Sequence, residues 1–315
     1  MLLILCGLSC SRDPISAERT YLPVDQISWE TENGWIPQHS GRLSEEICPD
    51  TMVFDPTGWN CQGEVGSALA LFHRETVEGY STNPSDRIER ILMNVFAGQE
   101  ASSELADPRM FVATVASDSV WVNQFLPVEL RGVGPGQEWN IRISTQYPIK
   151  GQIRMKILGR TPRLWTLAFR QPGWTNNAPD PTARYRWRSN RKLTVEIDGE
   201  YLFPELQHGY AYLSRVWTPG DELIISFPMS VRRLMYRDGS GAEQMSLEVG
   251  PVALATQKDP EAMATLPDQG YLQMKKDSSG VDVWDWTVDG IRYKFYRWPD
   301  LHGSPKVAVN WPVNH

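Results

Sequence analysis

Between Gly41 and Cys61 the chain reads GRLSEEICPDTMVFDPTGWNC, and its densest group of chemistry-bearing residues sits there. Glu45 and Glu46 are adjacent carboxylates, a residue type that can deliver or take a proton at a reacting bond. Cys48 and Cys61 are thiols that act, once ionised, as nucleophiles or metal ligands. His39 is the nearest imidazole. A zinc site needs three or four nitrogen, oxygen or sulfur ligands converging on the ion. Cys48, Cys61 and one Glu supply at best a partial set. A catalytic thiolate also needs a metal or a neighbouring cation to lower its pKa. The plainer reading makes Cys61 a buried inert thiol and Glu45 and Glu46 a solvated pair or the polar start of a turn.

A carboxylate pair on either side of a scissile bond is the other hydrolytic arrangement to consider. The candidates are Asp198, Glu200, Asp221, Glu222, Glu243 and Glu248. Most fall at hairpin turns or on wet strand faces, where charge belongs without any catalytic duty. His208, just before Gly209-Tyr210, reads as a polar turn residue. There is no phosphate-cradling loop, nucleophile elbow or His-Glu-x-x-His motif.

The elements that must position such residues are mostly strands. From Phe111 onward apolar and polar residues alternate with period two. Ile153, Met155 and Ile157 share a face, as do Leu193, Val195 and Ile197, and Leu223, Ile225 and Phe227. Such alternation marks half-buried antiparallel strands. Lys150-Gly151, Pro172-Gly173, Asp198-Gly199, Pro219-Gly220, Asp238-Gly239 and Asp289-Gly290 punctuate them with turn chemistry. The fold class read from this pattern is mainly β: an antiparallel β-sandwich, jelly-roll-like, preceded by a short α-helical hairpin. Ile153, Met155, Leu167, Phe169, Val195, Leu223, Ile225, Phe227 and Leu247 should share its core.

Two helices precede the strands. Residues 63–78 place Val65, Leu69, Phe72 and Thr76 on one stripe. Residues 84–97 place Ile88, Ile91, Leu92, Val95 and Phe96 at amphipathic spacing. Asn83 suits a cap, Pro84 the first helical position, Asp86 the positive end and Gly98 the stop. A hairpin this short cannot bury both stripes alone, so it must dock on the sandwich or on something outside this chain.

The 315 residues have 41% hydrophobic and 22% charged content, ordinary for a folded chain with a real core. Most of the thirteen Trp belong in packing. A net charge of −7 lacks the basic footprint of a nucleic-acid binder, so nucleic acid is excluded as a partner.

A resemblance emerges from the order of the motifs. Tyr-Pro precedes a strand, and the next apolar strand ends in Arg-x-Pro-Gly-Trp. Then follow a strand closing on Asp-Gly, Gly-Tyr-x-x-Leu-x-Arg-x-Trp, Pro-Gly-Asp-Glu, Phe-Pro-Met and Gly-Pro-Val-Ala-Leu. In that order they resemble the β-sandwich of glycoside hydrolase family 127, the β-L-arabinofuranosidase-like enzymes. Residues 86–99, DRIERILMNVFAGQ, resemble the Asp-x-x-Glu-Arg helix of that family's helical toroid.

The resemblance implies hydrolysis of terminal furanosides of plant-type glycans, with carbohydrate as partner and zinc as possible cofactor. It places Glu45 or Glu46 as acid/base, sixteen and fifteen residues before Cys61, and matches Cys61, 28 residues before Glu89, to the Cys of a Glu-Thr-Cys motif. Another register uses Glu46-Ile47-Cys48, with Cys48 the weaker metal candidate. Two departures count against a working site. Trp59 stands where the family has a zinc-binding Glu. The family's Cys-Cys pair has no counterpart among the 22 residues between Gln99 and Val122. The implied protein is incomplete or inactive alone, with a partner chain completing the toroid. The rival reading is a non-catalytic exported β-sandwich that binds glycan or a protein.

The opening MLLILCGLSC resembles a bacterial lipoprotein signal with Cys10 as the lipidated residue, although no Lys or Arg precedes it. Its apolar run is too short to span a bilayer. Export to the periplasm or cell surface is therefore expected, with membrane contact only through a lipid anchor; the alternative is a cytoplasmic fragment. The expected organisation is signal 1–10, irregular lead-in 11–40, helical remnant 41–99, sandwich 100–255 and a C-terminal β segment 256–315.

Overall fold

The structure is a computed structural model that describes residues 19–30, 74–77, 83–96, 107–116, 118–132, 139–159, 163–175, 193–237, 243–257, 272–288, 291–297, 300 and 310–312. Strands β1 (Thr20–Tyr21) and β2 (Ile27–Trp29) come first, then α1 (Asn83–Arg90), which continues as a wider π-helical turn over Ile91–Phe96. Next are β3 (Ala113–Ala116), β4 (Ser119–Val122), β5 (Val128–Gly132), β6 (Trp139–Thr145), β7 (Gln152–Ile157) and β8 (Arg163–Arg170). They are followed by β9 (Thr194–Ile197), β10 (Glu200–Leu202), β11 (Glu205–Gln207), β12 (Tyr210–Trp217) and β13 (Glu222–Ser226). A last group comprises β14 (Val231–Arg237), β15 (Glu243–Val249), β16 (Val252–Ala255), β17 (Leu272–Lys276), β18 (Asp282–Val288), β19 (Ile291–Arg297) and β20 (Asn310–Pro312).

These strands form three sheets. The first runs β1-β3-β4-β8-β12-β11 and the second β10-β9-β13-β7-β6-β5-β2. Their inner faces enclose one core, so the mainly-β sandwich expected from the alternation is present. All neighbours are antiparallel except β4 and β8, which pair in parallel. The irregular lead-in contributes more than expected, because β1 and β2 each add an edge strand, one to each sheet. Both are only two or three residues long, below what alternation can reveal.

Eight of the nine expected core residues are at most 5% exposed and lie in the sandwich cluster. Leu247 is equally buried but belongs to a second core with Met245, Leu254, Trp284, Trp286, Tyr293 and Phe295. Its strand lies in the third sheet, β14-β15-β16-β19-β18-β17, with β20 pairing β15. Period two identifies a buried face but not which sheet the face belongs to. The Trp residues behave as expected: Trp121, Trp165, Trp174, Trp217, Trp284 and Trp286 are all buried.

Turn chemistry sets the registers. Asp198 and Gly199 have φ of 50° and 89° and close the β9–β10 hairpin. His208 and Gly209 repeat that pattern, φ 51° and 83°, between β11 and β12, which gives His208 its turn role. Asp and His are among the few residues that enter the left-handed region. At Gly151 space decides instead, because a Cβ there would lie 2.1 Å from the Phe227 carbonyl oxygen. Among the described residues no helix is long and apolar enough to cross a membrane.

Candidate functional site

Glu45, Glu46, Cys48, Cys61 and Cys10 all lie outside the described residues, as does most of the first expected helix. Within the described residues, the largest concentration of buried charge surrounds α1. This helix sits at the end of the sandwich where β4 and β8 finish and β12 begins. Its Ile88, Ile91, Leu92 and Met93 are buried, which accounts for the apolar stripe seen in sequence. Its Ser85, Asp86, Glu89 and Arg90 are buried too, and each has a partner on another segment.

Arg170, the last residue of β8, is completely buried and forms ion pairs with both Asp86 and Glu89. Its Nε donates to the Asn123 carbonyl at 2.7 Å, and its guanidinium lies 5.5 Å from the Phe125 ring centroid. The Tyr147 hydroxyl donates to Glu89 Oε1 at 2.7 Å. The Gly173 backbone N–H donates to Asp86 at 3.2 Å. Gln124 Nε2 donates to the Ser85 carbonyl at 2.7 Å, and the Tyr210 hydroxyl donates to Asn123 Oδ1 at 2.7 Å.

The other side of α1 faces the third sheet. Arg90 grips Glu248 of β15 with two prongs, the second at 2.9 Å. Glu248, with no exposure at all, also accepts from Arg232 of β14 at 2.9 Å. Arg232 donates to the carbonyls of Trp174, at 3.1 Å, and Gly250, and lies 4.9 Å from the Trp174 ring centroid. Asn94 closes the group: its Nδ2 donates to Pro251 O at 2.8 Å and its Oδ1 accepts from Ala253 N–H at 2.8 Å.

Three carboxylates thus meet three guanidiniums away from water. The electrostatics follow from that balance. Burial pushes the Asp86 carboxyl up to about 6, with the Arg170 charge opposing and the Glu89 charge adding to the rise. Burial alone would weaken the charge on Arg170, but Glu89 and Asp86 outweigh it and hold that cation more firmly. Arg232 goes the other way, brought down to about 10 by burial against the pull of Glu248. Burial and the Glu89 charge hold the Tyr147 phenol well above its ordinary value, so it stays a donor.

An arrangement in which every charged group has a partner is suited to holding segments together rather than to turnover. It has no nucleophile, and among the described residues no three His, Cys, Asp or Glu are placed to hold a metal. Glu248 is where the plain sequence reading fails. Its place on an alternating strand reads as a solvated carboxylate, yet it is the buried hub between Arg90 and Arg232. The other downstream carboxylates that can be followed fit surface roles. Asp221 accepts from Thr218 in the Pro219-Gly220 turn, Asp198 from the Glu222 N–H, and Glu222 pairs with Arg154.

The partners also explain the motif order. Tyr-Pro supplies Tyr147, and Arg-x-Pro-Gly-Trp supplies Arg170, the Gly173 N–H and the Trp174 carbonyl. Gly-Tyr supplies Tyr210, and Gly-Pro-Val-Ala-Leu supplies the Gly250 and Pro251 carbonyls and the Ala253 N–H. Phe-Pro-Met places Phe227 against Tyr147 and Trp174, with ring centroids 5.9 and 5.8 Å away.

Residues 119–229, which span this sandwich, match the family model described as β-L-arabinofuranosidase, GH127 middle domain. Over that stretch, about a third of the chain, the sequence is similar to a GH127 middle domain. Solved structures agree in fold. A GH127 β-arabinofuranosidase matches with a TM-score of 0.68 and 16% identity over 86% of this chain and 54% of that one. A GH127 β-L-arabinofuranosidase from Geobacillus stearothermophilus T6 matches with a TM-score of 0.63 and 17% identity over 88% and 54%. A third, a glycoside hydrolase, gives 0.61 and 13% over 90% and 60%. The chain spans little more than half the length of these proteins. No curated protein matches it by sequence. The resemblance read from the motif order is therefore borne out as a relationship to GH127.

Proposed function

We propose that this chain is a glycoside hydrolase component of the GH127 type, directed at terminal furanosides of plant-type glycans. In this reading Glu45 or Glu46 is the acid/base and Cys61 lies in the site. The observation that carries the reading is that α1, the family-like Asp-x-x-Glu-Arg helix, is clamped by buried ion pairs onto the GH127 middle domain. A sandwich bearing so costly a junction is organised to seat a helical domain.

The chain alone is not expected to turn over substrate. Residues 100–121 offer no thiol for a nucleophile, and an acid/base alone contributes only ~10²–10⁴-fold. Trp59 replaces a carboxylate ligand with an indole that does not coordinate zinc, so the thiols and Glu at hand fall short of the family's ligand set. A partner chain completing the toroid, and a lipid anchor at Cys10, belong to the same proposal.

The rival reading, a non-catalytic glycan-binding sandwich, would be favoured by stacked Trp facing solvent. The stacked pair among the described residues, Trp139 and Trp165, packs against the sandwich core instead. The deciding experiment incubates the purified chain, with zinc and reductant, with a nitrophenyl β-L-arabinofuranoside and with an arabinofuranose-terminated oligosaccharide. Saturable binding of the oligosaccharide, weakened in Glu46→Gln or Glu45→Gln and without Cys61-dependent nitrophenol release, supports the proposal. Release that vanishes in Cys61→Ser overturns the inactive-alone part, and absence of any binding overturns the furanoside assignment.

A further inference from the structure

Seven large apolar side chains are exposed among the described residues, and three of them fall within six residues. Tyr201 is 68% exposed, Phe203 97% and Leu206 50%. The other four, Ile149, Leu164, Val216 and Met274, include no aromatic ring. A single exposed apolar residue needs no explanation, but a group with two rings does. This group lies where β10 ends the second sheet and β11 ends the first, joined by Phe203 and Pro204. It therefore occupies an open edge of the sandwich.

Leu202 packs against the sandwich core, so its neighbour Tyr201 points outward from the second sheet. Proline favours an extended residue before it, so Phe203 continues the alternation and shares that side, about 7 Å along. Glu196 of β9 sits opposite Tyr201 in the ladder, with Ile224 of β13 beyond it. Thr194, exposed, is on the same face two residues from Glu196. Glu196, Tyr201 and Phe203 make no ion pair, side-chain hydrogen bond or ring contact among the described residues. Residues 193–214 hold four carboxylates, Glu196, Asp198, Glu200 and Glu205, and no Lys or Arg. Asp198 accepts from the Glu222 N–H, and Glu205 from the Gln207 amide. Among the described residues the first cations on that face are Arg154, paired with Glu222, and Lys156, both on β7, three strands from Tyr201. Arg215 of β12 pairs with Asp221, and His208 closes the turn at the far end of β11. The balance around the rings is negative, so an acidic polymer is repelled, and so is a second copy bringing the same carboxylates.

We propose that this edge binds the interior of a neutral glycan chain, with Tyr201 and Phe203 as the rings on which its sugars stack. A sugar presents an apolar C–H face inside a rim of hydroxyls. It needs an aromatic face beside hydrogen-bond acceptors, and rings flanked by carboxylates supply both. Glu196 accepts from hydroxyls next to the Tyr201 ring, and the Thr194 hydroxyl both donates and accepts. A protein interface is depleted of charge at its core, which an edge so rich in carboxylates is not. The inference rests on the proposed function only for the ligand being a glycan.

The test is calorimetric titration of the purified full chain with xylohexaose and arabinohexaose as neutral chains, with trigalacturonate, and with a Lys-Leu-Lys-Leu-Lys peptide. At least one neutral hexasaccharide should bind saturably, and more tightly than trigalacturonate. Phe203→Ala and Tyr201→Ala should each weaken it roughly three- to tenfold. Glu196→Gln should weaken it severalfold, and melting temperatures should not change. Tyr201→Phe, which keeps the ring, should retain most of the affinity. Leu206→Ala should leave binding unaltered, because Leu206 lies opposite Ala211 on the inward side of β11. No saturable binding of either hexasaccharide, or binding indifferent to both ring substitutions, overturns the proposal. Trigalacturonate binding as tightly as the neutral chains overturns it too. So does peptide binding that falls with Leu206→Ala and with the ring variants while neither hexasaccharide binds, which would make the edge a protein-docking strand. Xylohexaose binding that depends on Phe203, beside an arabinofuranose-terminated oligosaccharide indifferent to Glu45→Gln and Glu46→Gln, counts against the proposed function alone.

Discussion

Arg90 and Glu248 stand 158 residues apart in sequence and form a two-pronged, buried ion pair. Glu248 is shared with Arg232, so each of its oxygens faces a cation. Isolated buried pairs are poor sources of net stability, because taking two charges out of water costs about what their attraction returns. Breaking one is another matter. Arg90→Ala should lower stability by ~3–5 kcal/mol, less whatever Arg232 recovers by moving towards Glu248. Thermal or urea unfolding measures it. Because Glu248→Leu alone would strand the buried Arg232 cation, the neutral replacement is threefold: Arg90→Met, Arg232→Met and Glu248→Leu together should cost less than the sum of the three single changes, and a triple variant that costs that sum would show that the charges are not coupled.

Arg170 makes the same point more severely, because it faces two carboxylates. Arg170→Met leaves Asp86 and Glu89 buried without their cation. It should destabilise by at least ~3–5 kcal/mol and lose amide protection first in peptides covering α1. Hydrogen exchange read by mass spectrometry separates this local release from global unfolding. Uniform loss of protection across all three sheets would contradict a clamp dedicated to the helix.

The pH dependence has a definite sign. The Asp86 carboxyl is raised from its ordinary 3.8 to about 6 by burial, so the folded chain holds that proton more tightly than the unfolded one. Its stabilising contribution is complete below the ordinary value and is lost as pH rises through about 6. Glu129, Asp282 and Asp285 are lowered, so they lose stabilisation only at more acidic pH. Between pH 4.5 and 7 the chain should therefore melt at lower temperature as pH rises. The difference is worth up to roughly 3 kcal/mol. Asp86→Asn should flatten that stretch of the profile, and a mutant profile parallel to the parent would refute the assignment.

Much of this was legible in sequence for a physical reason. Ile153, Leu223 and their neighbours repeat with period two because one face of each strand must leave water. Asp198-Gly199 marks a hairpin because few residue pairs tolerate two positive φ angles. The Asp-x-x-Glu-Arg helix could be recognised as a unit. Its partners could not, because no local pattern says that Glu248 will be covered by an arginine from residue 90. The alternation along β15 is the same whether its polar face meets water or a buried cation. For the same reason Leu247 belongs to a different core from the one its alternation suggests. The acid/base and thiol candidates fall outside the described residues, so the sequence reading of them stands on its own terms.

Tyr147→Phe isolates one bond of the clamp. It removes the hydroxyl that donates to Glu89 while keeping the ring against Phe125 and Phe227, with centroids 5.9 Å away in each case. A hydrogen bond to a charged group is worth ~1.5–3 kcal/mol. The variant should lose about that much in urea unfolding, with an unchanged slope against denaturant.

Gly151→Ala tests a backbone contact. The added methyl would meet the Phe227 carbonyl oxygen, part of a turn rather than a flexible side chain. The β7 and β13 ends must then separate, at ~1–3 kcal/mol. Gly199→Ala is the control, with open space around it but φ of 89°. It should cost about 1 kcal/mol through backbone strain alone.

The separation between Arg90 and Glu248 also sets a clock during translation. At ~5–20 residues per second, Arg90 is added to the chain roughly eight to thirty seconds before the residue that it must grip. Arg170 comes earlier, so the nascent helix can first be caught by the sandwich and only later secured by the third sheet. Until then its apolar stripe and its charges are both exposed to water, and this is the interval in which a chaperone would find it.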